Sequence, residues 1–387
     1  MRTRPTVVLL LLAAVLVALP AASARATTII VGCSGTPTTD GANLLSAYNG
    51  ASGSATAPVV VQPSACLYDL GTSTLTMQSF VDLIGIGRNT TIITSQVDRT
   101  SSPNSGTITV PSGVDAEIAN LTIRNEDTTA CYAVRNASSD FVIQDSNLEA
   151  TCGEDAVALY TVASVRGIGL VLLADASAEE ADPVRAVALE DVGGDSVVSN
   201  TLMTSGGATA NQVFGVILDG SDATLDEVSI SAGGDVSATG FSISGGSTPA
   251  ISNSKAFVTG GNSLGAGVDV SGSSNVVLVS DTRLVIGAGS GGAAYGVRNQ
   301  SSSSSIQLID LNASAGSGST QVGVQVSNGL VNVDRSSASG GTNSLVVSSG
   351  ATARVGVSKL TGSRSISGTA TCVGAYDGGY TAIGTSC

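Results

Sequence analysis

Two aspartates and an arginine in the second half of the chain have a spacing that could support acid–base chemistry. Asp281 and Asp310 each lie 14 residues after a Gly-Val pair that recurs along the chain, so a repetitive fold would stack them on neighbouring turns. Arg283 follows Asp281 by two residues, which places both side chains on one side of a β-strand. Close carboxylates raise one pKa of the pair, a feature of general acid–base sites. These three residues form the candidate catalytic set.

The alternative for this set is a column of solvated turn residues. Polar residues of other types occupy the same offset in other repeats: Asn147, Ser229, Ser254 and Ser337. A column that accepts Asn and Ser at this position does not require a carboxylate, so the sequence favours the turn column over the catalytic set.

A cluster of acidic residues is the candidate metal site. The densest acidic segment contains Asp175, Glu179, Glu180 and Asp182, and it falls in the longest repeat, of 30 residues. Carboxylate oxygens are calcium ligands. The alternative is a solvated loop that bulges from the fold. We therefore expect no resident cofactor, and calcium is the one ion that the sequence suggests.

Composition excludes several kinds of site. The 387-residue chain has no histidine, so it has no Ser-His-Asp or Cys-His nucleophile system and no imidazole-bound zinc. The net charge is −14, from 30 Asp and Glu against 16 Lys and Arg. Because nucleic-acid binding needs clustered cations, we expect no nucleic-acid partner.

The first 24 residues have the features of a secretory signal peptide. Arg2 and Arg4 precede an apolar run at 7–19 that is too short to span a bilayer, and residues 22–24 read Ala-Ser-Ala, a cleavage pattern. No second apolar segment has membrane length, so we expect no transmembrane segment. A lipoprotein anchor at Cys33 is the alternative. The sequence predicts secretion to the exterior or the cell surface, with the periplasm as the alternative compartment.

The cysteines predict disulfide bonds. All six follow the signal peptide, and an even count in an exported chain is typical of disulfides. Six cysteines allow 15 connectivities, which the sequence does not distinguish. Their order favours three local pairs, Cys33–Cys66, Cys131–Cys152 and Cys372–Cys387. Free buried thiols are the alternative.

An internal repeat indicates the fold. A small residue followed by an apolar one recurs at a mean spacing of about 27 residues and is expected to open a short strand. The small residues are Ala133, Ala158, Ala188, Gly215, Gly240, Gly267, Gly296 and Gly323. The apolar run at 276–279 predicts a strand buried on both faces. No helical pattern lies between the strands, although parallel strands otherwise need crossover helices.

The pattern therefore predicts an all-β fold, a right-handed parallel β-helix of about eleven coils. A β-propeller has longer repeats, and a β-sandwich lacks a fixed period of this kind. Asp40 is expected to cap a short helix with Leu44, Leu45 and Tyr48 on its apolar side, closing the N-terminal end. Tyr376 is expected to lie in a disulfide-closed C-terminal cap together with Tyr380. The predicted segments are 1–24 as signal peptide, 25–70 as N-terminal cap and first strands, 71–365 as β-helix, and 366–387 as C-terminal cap.

Several segments resemble a known family. They read LYDLG at 67–71, LTM at 75–77, VDLIGIGRNTTII at 81–93, GVRNQSSSSS at 296–305, RVGVSKLTG at 354–362 and CVGAYD at 372–377. In these segments the chain resembles the bacterial secreted β-helix repeat proteins of the pectin lyase-like superfamily. The resemblance implies the fold and secretion. It implies no reaction, because most of these proteins have no assigned activity, and the chain lacks pectinesterase signatures and the Gly-His-Gly of polygalacturonases.

We expect a secreted, non-catalytic scaffold that binds an extracellular or cell-surface partner such as a polysaccharide. The first alternative is a polysaccharide lyase or carbohydrate esterase that uses Asp281, Asp310 and Arg283. The second alternative is a structural spacer of the cell surface. Oligomeric state does not follow from the sequence.

Overall fold

The computed structural model describes residues 26–177, 184–207 and 209–387, so the predicted signal peptide lies outside the described residues. One helix is present in this part of the chain, α1 (Pro37–Gly50). No helix among the described residues is long and apolar enough to cross a membrane. The strands are β1 (Thr27–Val31), β2 (Val59–Pro63), β3 (Leu67–Asp69), β4 (Leu75–Thr76), β5 (Val81–Ile84), β6 (Ile92–Ser95), β7 (Ile108–Val110), β8 (Ala116–Ala119), β9 (Thr122–Asn125), β10 (Ala130–Asn136), β11 (Phe141–Gln144), β12 (Asn147–Cys152), β13 (Asp155–Thr161), β14 (Val165–Ile168), β15 (Val171–Ala176), β16 (Arg185–Val192), β17 (Val197–Gly206), β18 (Gln212–Asp219), β19 (Thr224–Gly233), β20 (Ser237–Ser244), β21 (Ala250–Ser252), β22 (Lys255–Thr259), β23 (Leu264–Val270), β24 (Val276–Ser280), β25 (Arg283–Gly287), β26 (Ala293–Asn299), β27 (Ser305–Ile309), β28 (Asn312–Ala315), β29 (Thr320–Val326), β30 (Leu330–Asp334), β31 (Ser337–Val347), β32 (Thr352–Val355), β33 (Lys359–Ile366), β34 (Thr369–Cys372) and β35 (Tyr376–Asp377).

The strands stack in parallel on three faces of a solenoid. Face 1 contains β10, β13, β16, β18, β20, β23, β26 and β29. Face 2 contains β5, β8, β11, β14, β21, β24, β27 and β30, and face 3 contains β6, β9, β12, β15, β22, β25 and β28. The long strands β17 and β19 begin on face 2 and continue on face 3. The predicted parallel β-helix of about eleven coils is confirmed.

The core is a continuous set of columns of Val, Ile, Leu and Ala that runs the length of the solenoid. Alternate residues of each strand point inward, even where the sequence is apolar throughout. In β24, Val277 and Val279 are buried, whereas Val276 is 58% exposed and Leu278 is 37% exposed. The prediction that this run is buried on both faces was wrong, because none of the described residues covers the outer side of face 2 at Val276 and Leu278.

The recurring small residues lie in the middle of the face 1 strands and point into the core. The expectation that they open the strands was wrong; Gly240, for example, is the fourth residue of β20. A Cβ on Gly240 would lie 2.7 Å from the carbonyl oxygen of Gly267 and 3.0 Å from the Cβ of Ala256 on face 3. The small side chains therefore let two faces and two coils approach each other closely.

Helix α1 covers the N-terminal end with Leu44 and Tyr48, both fully buried, and the Tyr48 hydroxyl donates a hydrogen bond to the carbonyl of Val81 at 2.8 Å. The prediction that Asp40 is the helix N-cap was wrong. The N-cap residue is Thr36, and Asp40 lies in the first turn, where its carboxylate accepts the backbone N–H of Ser34 at 2.6 Å.

The disulfides close local loops, as predicted from their order in the chain. All three predicted pairs are confirmed: Cys33–Cys66, Cys131–Cys152 and Cys372–Cys387. At the C-terminal end, the rings of Tyr376 and Tyr380 stack with their centroids 5.3 Å apart, inside the loop that the last disulfide closes. The ammonium group of Lys359 lies 4.4 Å from the centre of the Tyr380 ring.

Candidate binding groove

The corner between face 2 and face 3 is a tight turn that repeats from coil to coil. In nine successive coils one residue of this turn has a positive φ, between 47° and 66°. We call these nine residues the corner column; they are Asn120, Asp145, Gly169, Asn200, Glu227, Asn253, Asp281, Asp310 and Arg335. Asn, Asp and Gly tolerate the left-handed conformation better than other residues, which explains why they dominate the column. The column places one residue on the surface per coil, at a spacing of about 4.8 Å, and every member except Gly169 offers a side chain there.

A groove of about 840 Å³ follows the first six members of the corner column, from Asn120 to Asn253. Five coil steps give it a length of about 24 Å. The same groove is lined by the apolar residues Leu170, Val171, Leu202 and Val228, and by Thr201, Ser229, Ser254, Arg88, Lys255 and Arg283. Its size lies in the range of ligand sites rather than of packing defects.

The hydroxyl groups next to the corner column stabilise the backbone of the turns. The hydroxyl of Ser254 accepts the backbone N–H of Val228 at 3.2 Å and donates to the carbonyl of Ser252 at 2.5 Å. Thr201 donates to the carbonyl of Ser199 at 2.9 Å. Both side chains are buried. The groups available to a ligand include the amides and carboxylates of the corner column and the cations Arg88, Lys255 and Arg283.

The charged groups of the groove are separated along its length. Asp145 and the Arg88 guanidinium, which contacts Gly169, lie in the N-terminal half, Glu227 lies further along, and Lys255 and Arg283 lie at the C-terminal end. Among the described residues, Asp145, Glu227 and Lys255 form no ion pair. Their charges are therefore available to hydroxyl, carboxyl or amino groups of a ligand.

An exposed aromatic ring lies beside the C-terminal end of the groove. Phe257 on face 3 is 42% exposed, and the guanidinium carbon of Arg283 lies 6.0 Å from the centre of its ring. Phe257 and Lys255 lie on the same outer side of β22, two residues apart. The apolar ring can pack against the C–H face of a sugar, and the two neighbouring cations can donate hydrogen bonds to the hydroxyls of that sugar.

The two aspartates of the candidate catalytic set are neighbours in the corner column, outside the residues that line the groove. The guanidinium of Arg335 donates to both carboxylate oxygens of Asp310, at 3.2 and 2.8 Å, and also to Asp334 at 2.9 Å. These hydrogen bonds hold the pKa of Asp310 below its usual range, which is opposite to the shift expected from repulsion between the aspartates. Arg283 instead lines the groove.

Sequence analysis missed Arg335, although it occupies the position after Asp310 in the corner column. The offset of 14 residues from the small residue points to Ser337, but this coil reaches its corner two residues earlier. Sequence analysis also missed Arg88. This residue lies in a turn 81 residues before Gly169, whose carbonyl it contacts in the groove, so no local pattern connects the two.

The predicted metal cluster is described only in part. Asp175 lies on β15, whereas Glu179, Glu180 and Asp182 lie outside the described residues. Within the described ranges, no group of three or more carboxylate, cysteine or histidine side chains is arranged to hold a metal ion. Calcium binding stays a prediction.

A second charged cluster lies on the outer side of face 1, but its charges satisfy each other. Asp155 pairs with Arg99 and, at 3.2 Å, with Arg185, which also pairs with Glu190 at 2.8 Å. The guanidinium of Arg99 lies 4.7 Å from the centre of the Tyr132 ring. Because each charged group here has a protein partner, we assign this cluster to structure and the groove to binding.

A pair of half-buried carboxylates on face 2 is the other feature that the sequence did not indicate. Asp82 on β5 and Glu117 on β8 are in register on neighbouring coils, and Asp82 accepts the backbone N–H of Glu117 at 2.9 Å. Burial raises the pKa of both carboxyls, and the charge of Asp82 raises that of Glu117 further. Neither residue lines the groove.

Comparisons with known proteins give the fold but no family. No protein-family model matches the sequence, and no curated protein matches it significantly. Among solved structures, the chain is similar to the A-module of mannuronan C-5 epimerase AlgE6 of Azotobacter vinelandii, with a TM-score of 0.51 and 15% identity over 87% of this chain and 95% of that one. At this identity the likeness shows the fold alone.

Two further similar structures have lower scores. The catalytic domain of a GH87 α-1,3-glucanase has a TM-score of 0.47 and 10% identity, over 92% of this chain and 70% of that one. Pectin methylesterase PemA of Erwinia chrysanthemi has a TM-score of 0.36 and 12% identity, over 71% of this chain and 90% of that one. All three named proteins are carbohydrate-active β-helix proteins.

Proposed function

We propose that the protein is secreted and binds a polysaccharide along the groove without transforming it. The observation that carries the proposal is the row of six corner positions, Asn120 to Asn253, that line the groove at the pitch of the coils. An extended polymer presents similar groups at regular intervals, so a regular row of side chains can contact several of its units at once. The names of the similar structures support a carbohydrate as that polymer.

The chemistry of the lining also supports a carbohydrate. The amides of Asn200 and Asn253 can donate and accept, the carboxylates of Asp145 and Glu227 accept from sugar hydroxyls, and Arg88 donates. Leu202, which is 46% exposed, offers an apolar surface to the C–H face of a sugar ring.

The spacing of the carboxylates favours binding over hydrolysis. Asp145 and Glu227 are separated by three coil steps, about 14 Å. Glycosidases that use two carboxylates hold them roughly 5–10 Å apart, so these two groups are too distant to act on one bond. The three disulfides support an extracellular location, because they persist in oxidising compartments.

A polysaccharide-active enzyme is the second candidate, and one observation favours it. Asp281 and Asp310 lie one coil apart, about 4.8 Å, which is close to the separation in retaining glycosidases. The ion pair with Arg335 argues against Asp310 as a general acid, because it keeps the carboxylate charged near neutral pH.

A polysaccharide panel tests both candidates. The protein from residue 25 is titrated with immobilised neutral and acidic polysaccharides, with and without calcium, while new reducing ends, unsaturated products and released ester groups are measured. We expect binding without turnover. Asn200→Gly and Asn253→Gly keep the positive φ of the turn and remove an amide from the groove, so each should weaken binding. Asn253→Gly also removes the hydrogen bond that this amide donates to Asp226 at 2.8 Å, so Asn200→Gly is the cleaner of the two tests.

Asp281→Gly is the matched control, because it changes the same kind of turn one coil beyond the groove. It should leave binding unchanged. Absence of binding to every polymer would contradict the proposal. Turnover that Asp281→Gly abolishes would establish the enzyme instead and identify its site.

A further inference from the structure

The groove is bounded at its N-terminal end by a loop that the other corners lack. Between β5 and β6 the corner contains seven residues, 85–91, whereas the next coil turns with two residues, 120 and 121. Residues 86 and 88–90 of this loop are exposed, and Gly85 is so close to the next coil that a Cβ there would lie 2.4 Å from the carbonyl oxygen of Asn120. The loop therefore stands on the solvent side of the corner column, anchored at its base.

Contacts with three following coils hold the loop along the start of the groove. At the tip of the loop, the carbonyl oxygen of Arg88 accepts a hydrogen bond from the hydroxyl of Thr122. The side-chain oxygen of Asn89 accepts one from the side-chain amide of Asn147 at 3.4 Å. The guanidinium of Arg88 donates to the carbonyl of Gly169 at 3.4 Å, three coils away, about 14 Å along the solenoid. A polymer chain that lies in the groove would meet this loop if it continued toward the N-terminal end of the solenoid.

The opposite end of the groove has no such loop. The corners that follow Asn253 keep the two-residue turn at 281–282, 310–311 and 335–336. Phe257 and Arg283 lie beside this end, where they can contact a chain that leaves the groove. The groove is thus closed at one end and open at the other.

We propose that the groove recognises the end of a polysaccharide chain rather than an internal segment. The inference rests on the proposed polysaccharide binding and adds which part of the polymer is bound. A terminal sugar has a free hydroxyl where an internal sugar has a glycosidic bond, and a free hydroxyl both donates and accepts. At the closed end, Arg88 has N–H groups beyond the one bonded to Gly169, and the carboxylate of Asp145 accepts, so both roles of that hydroxyl have a partner.

The experiment measures how many protein molecules bind each polymer chain. Length series of oligogalacturonides and of cello-oligosaccharides, each with its parent polymer, are titrated by calorimetry. End recognition predicts a fixed number of sites per chain at every length, so the binding per gram falls as the chains lengthen. Internal recognition predicts a number of sites that grows with chain length.

Arg88 variants connect the site count to the loop. Arg88→Ala should weaken binding of the short oligosaccharides about tenfold, because it removes hydrogen bonds from a charged donor. Arg88→Lys should recover part of that loss. Arg364→Ala, which removes an exposed arginine on β33 far from the groove, is the matched control and should bind as the parent protein does. Circular dichroism confirms that each variant keeps its sheet.

The outcomes separate the two proposals. A constant number of sites per chain with weakened binding in Arg88→Ala supports end recognition. Sites in proportion to chain length, or an Arg88→Ala variant that binds as tightly as Arg364→Ala, would overturn it and leave polysaccharide binding intact. If neither series and no polymer of the wider panel binds, the proposed function itself fails.

Discussion

Adding one methyl group to the column of small residues on face 1 should destabilise the whole solenoid. The Cβ of a Gly240→Ala variant would lie 2.7 Å from the carbonyl oxygen of Gly267, 3.0 Å from the Cβ of Ala256 and 3.4 Å from a methyl of Val258. Carbon atoms pack best at about 3.5–4.0 Å, so all three contacts are short, and the first two are the most severe. The hydrogen-bond ladder on both sides of β20 prevents the coils from parting to relieve them.

The expected loss follows from two opposing terms. Overpacking of a core costs about 1–3 kcal/mol. Replacing glycine restricts the unfolded chain, which stabilises the fold by about 0.4–1 kcal/mol. The first term is larger, so we expect the free energy of unfolding of Gly240→Ala to fall by about 1–2 kcal/mol.

Urea unfolding followed by circular dichroism measures this difference. Gly233→Ala is the matched control, since Gly233 also lies in a strand, β19, and a Cβ there meets no atom within 4 Å. The control should be neutral or slightly stabilising. If both variants unfold at the same urea concentration with the same slope, the small residues do not set the distance between the faces, and the reasoning is wrong.

Three further predictions concern charges and the N-terminal cap. Asp82→Asn and Glu117→Gln should each stabilise the protein at neutral pH, because burial raises the pKa of both carboxyls and makes their charged forms unfavourable in the folded state. Melting temperatures measured across pH should show that the variants lose this added stability as the pH falls below the pKa of an unfolded carboxyl. Arg335→Ala should raise the pKa of Asp310 toward its ordinary value, which carboxyl-carbon NMR detects, and an unchanged pKa would mean that the ion pair does not form in solution. Tyr48→Phe should lower the free energy of unfolding by about 1–2 kcal/mol, since it leaves a buried carbonyl without its donor, and an unaltered melting temperature would argue against the capping role of α1.

The repeat spacing was enough to predict the fold, because one coil of a parallel β-helix uses a nearly constant number of residues. The local order of the cysteines predicted the disulfides for a related reason: in a solenoid, residues close in sequence are also close in space. Cys131 and Cys152 lie within a single coil, at the two ends of its three strands.

The groove could not be predicted from the spacing alone. The number of residues between face 1 and the corner differs from coil to coil, so a fixed offset from face 1 does not always reach the corner residue. In one coil the offset of 14 residues gives Ser337, whereas the corner residue is Arg335. The left-handed turn is visible only as a scattered preference for Asn, Asp and Gly, and Glu227 and Arg335 break it. Arg88 reaches the groove across three coils, a distance that no local pattern encodes.

The corner column also determines how this binding surface could change over evolutionary time. Apart from the loop at 85–91, whose Arg88 reaches Gly169, the strands of each coil pair with those of its two neighbouring coils. Duplication of one coil between Gly169 and Asn253 would therefore insert one more corner residue and leave the two ends of the solenoid as they are. The groove would grow by about 4.8 Å, one step of the column. Its length can therefore change by gain or loss of whole coils, independently of the residues that specify what binds at each step.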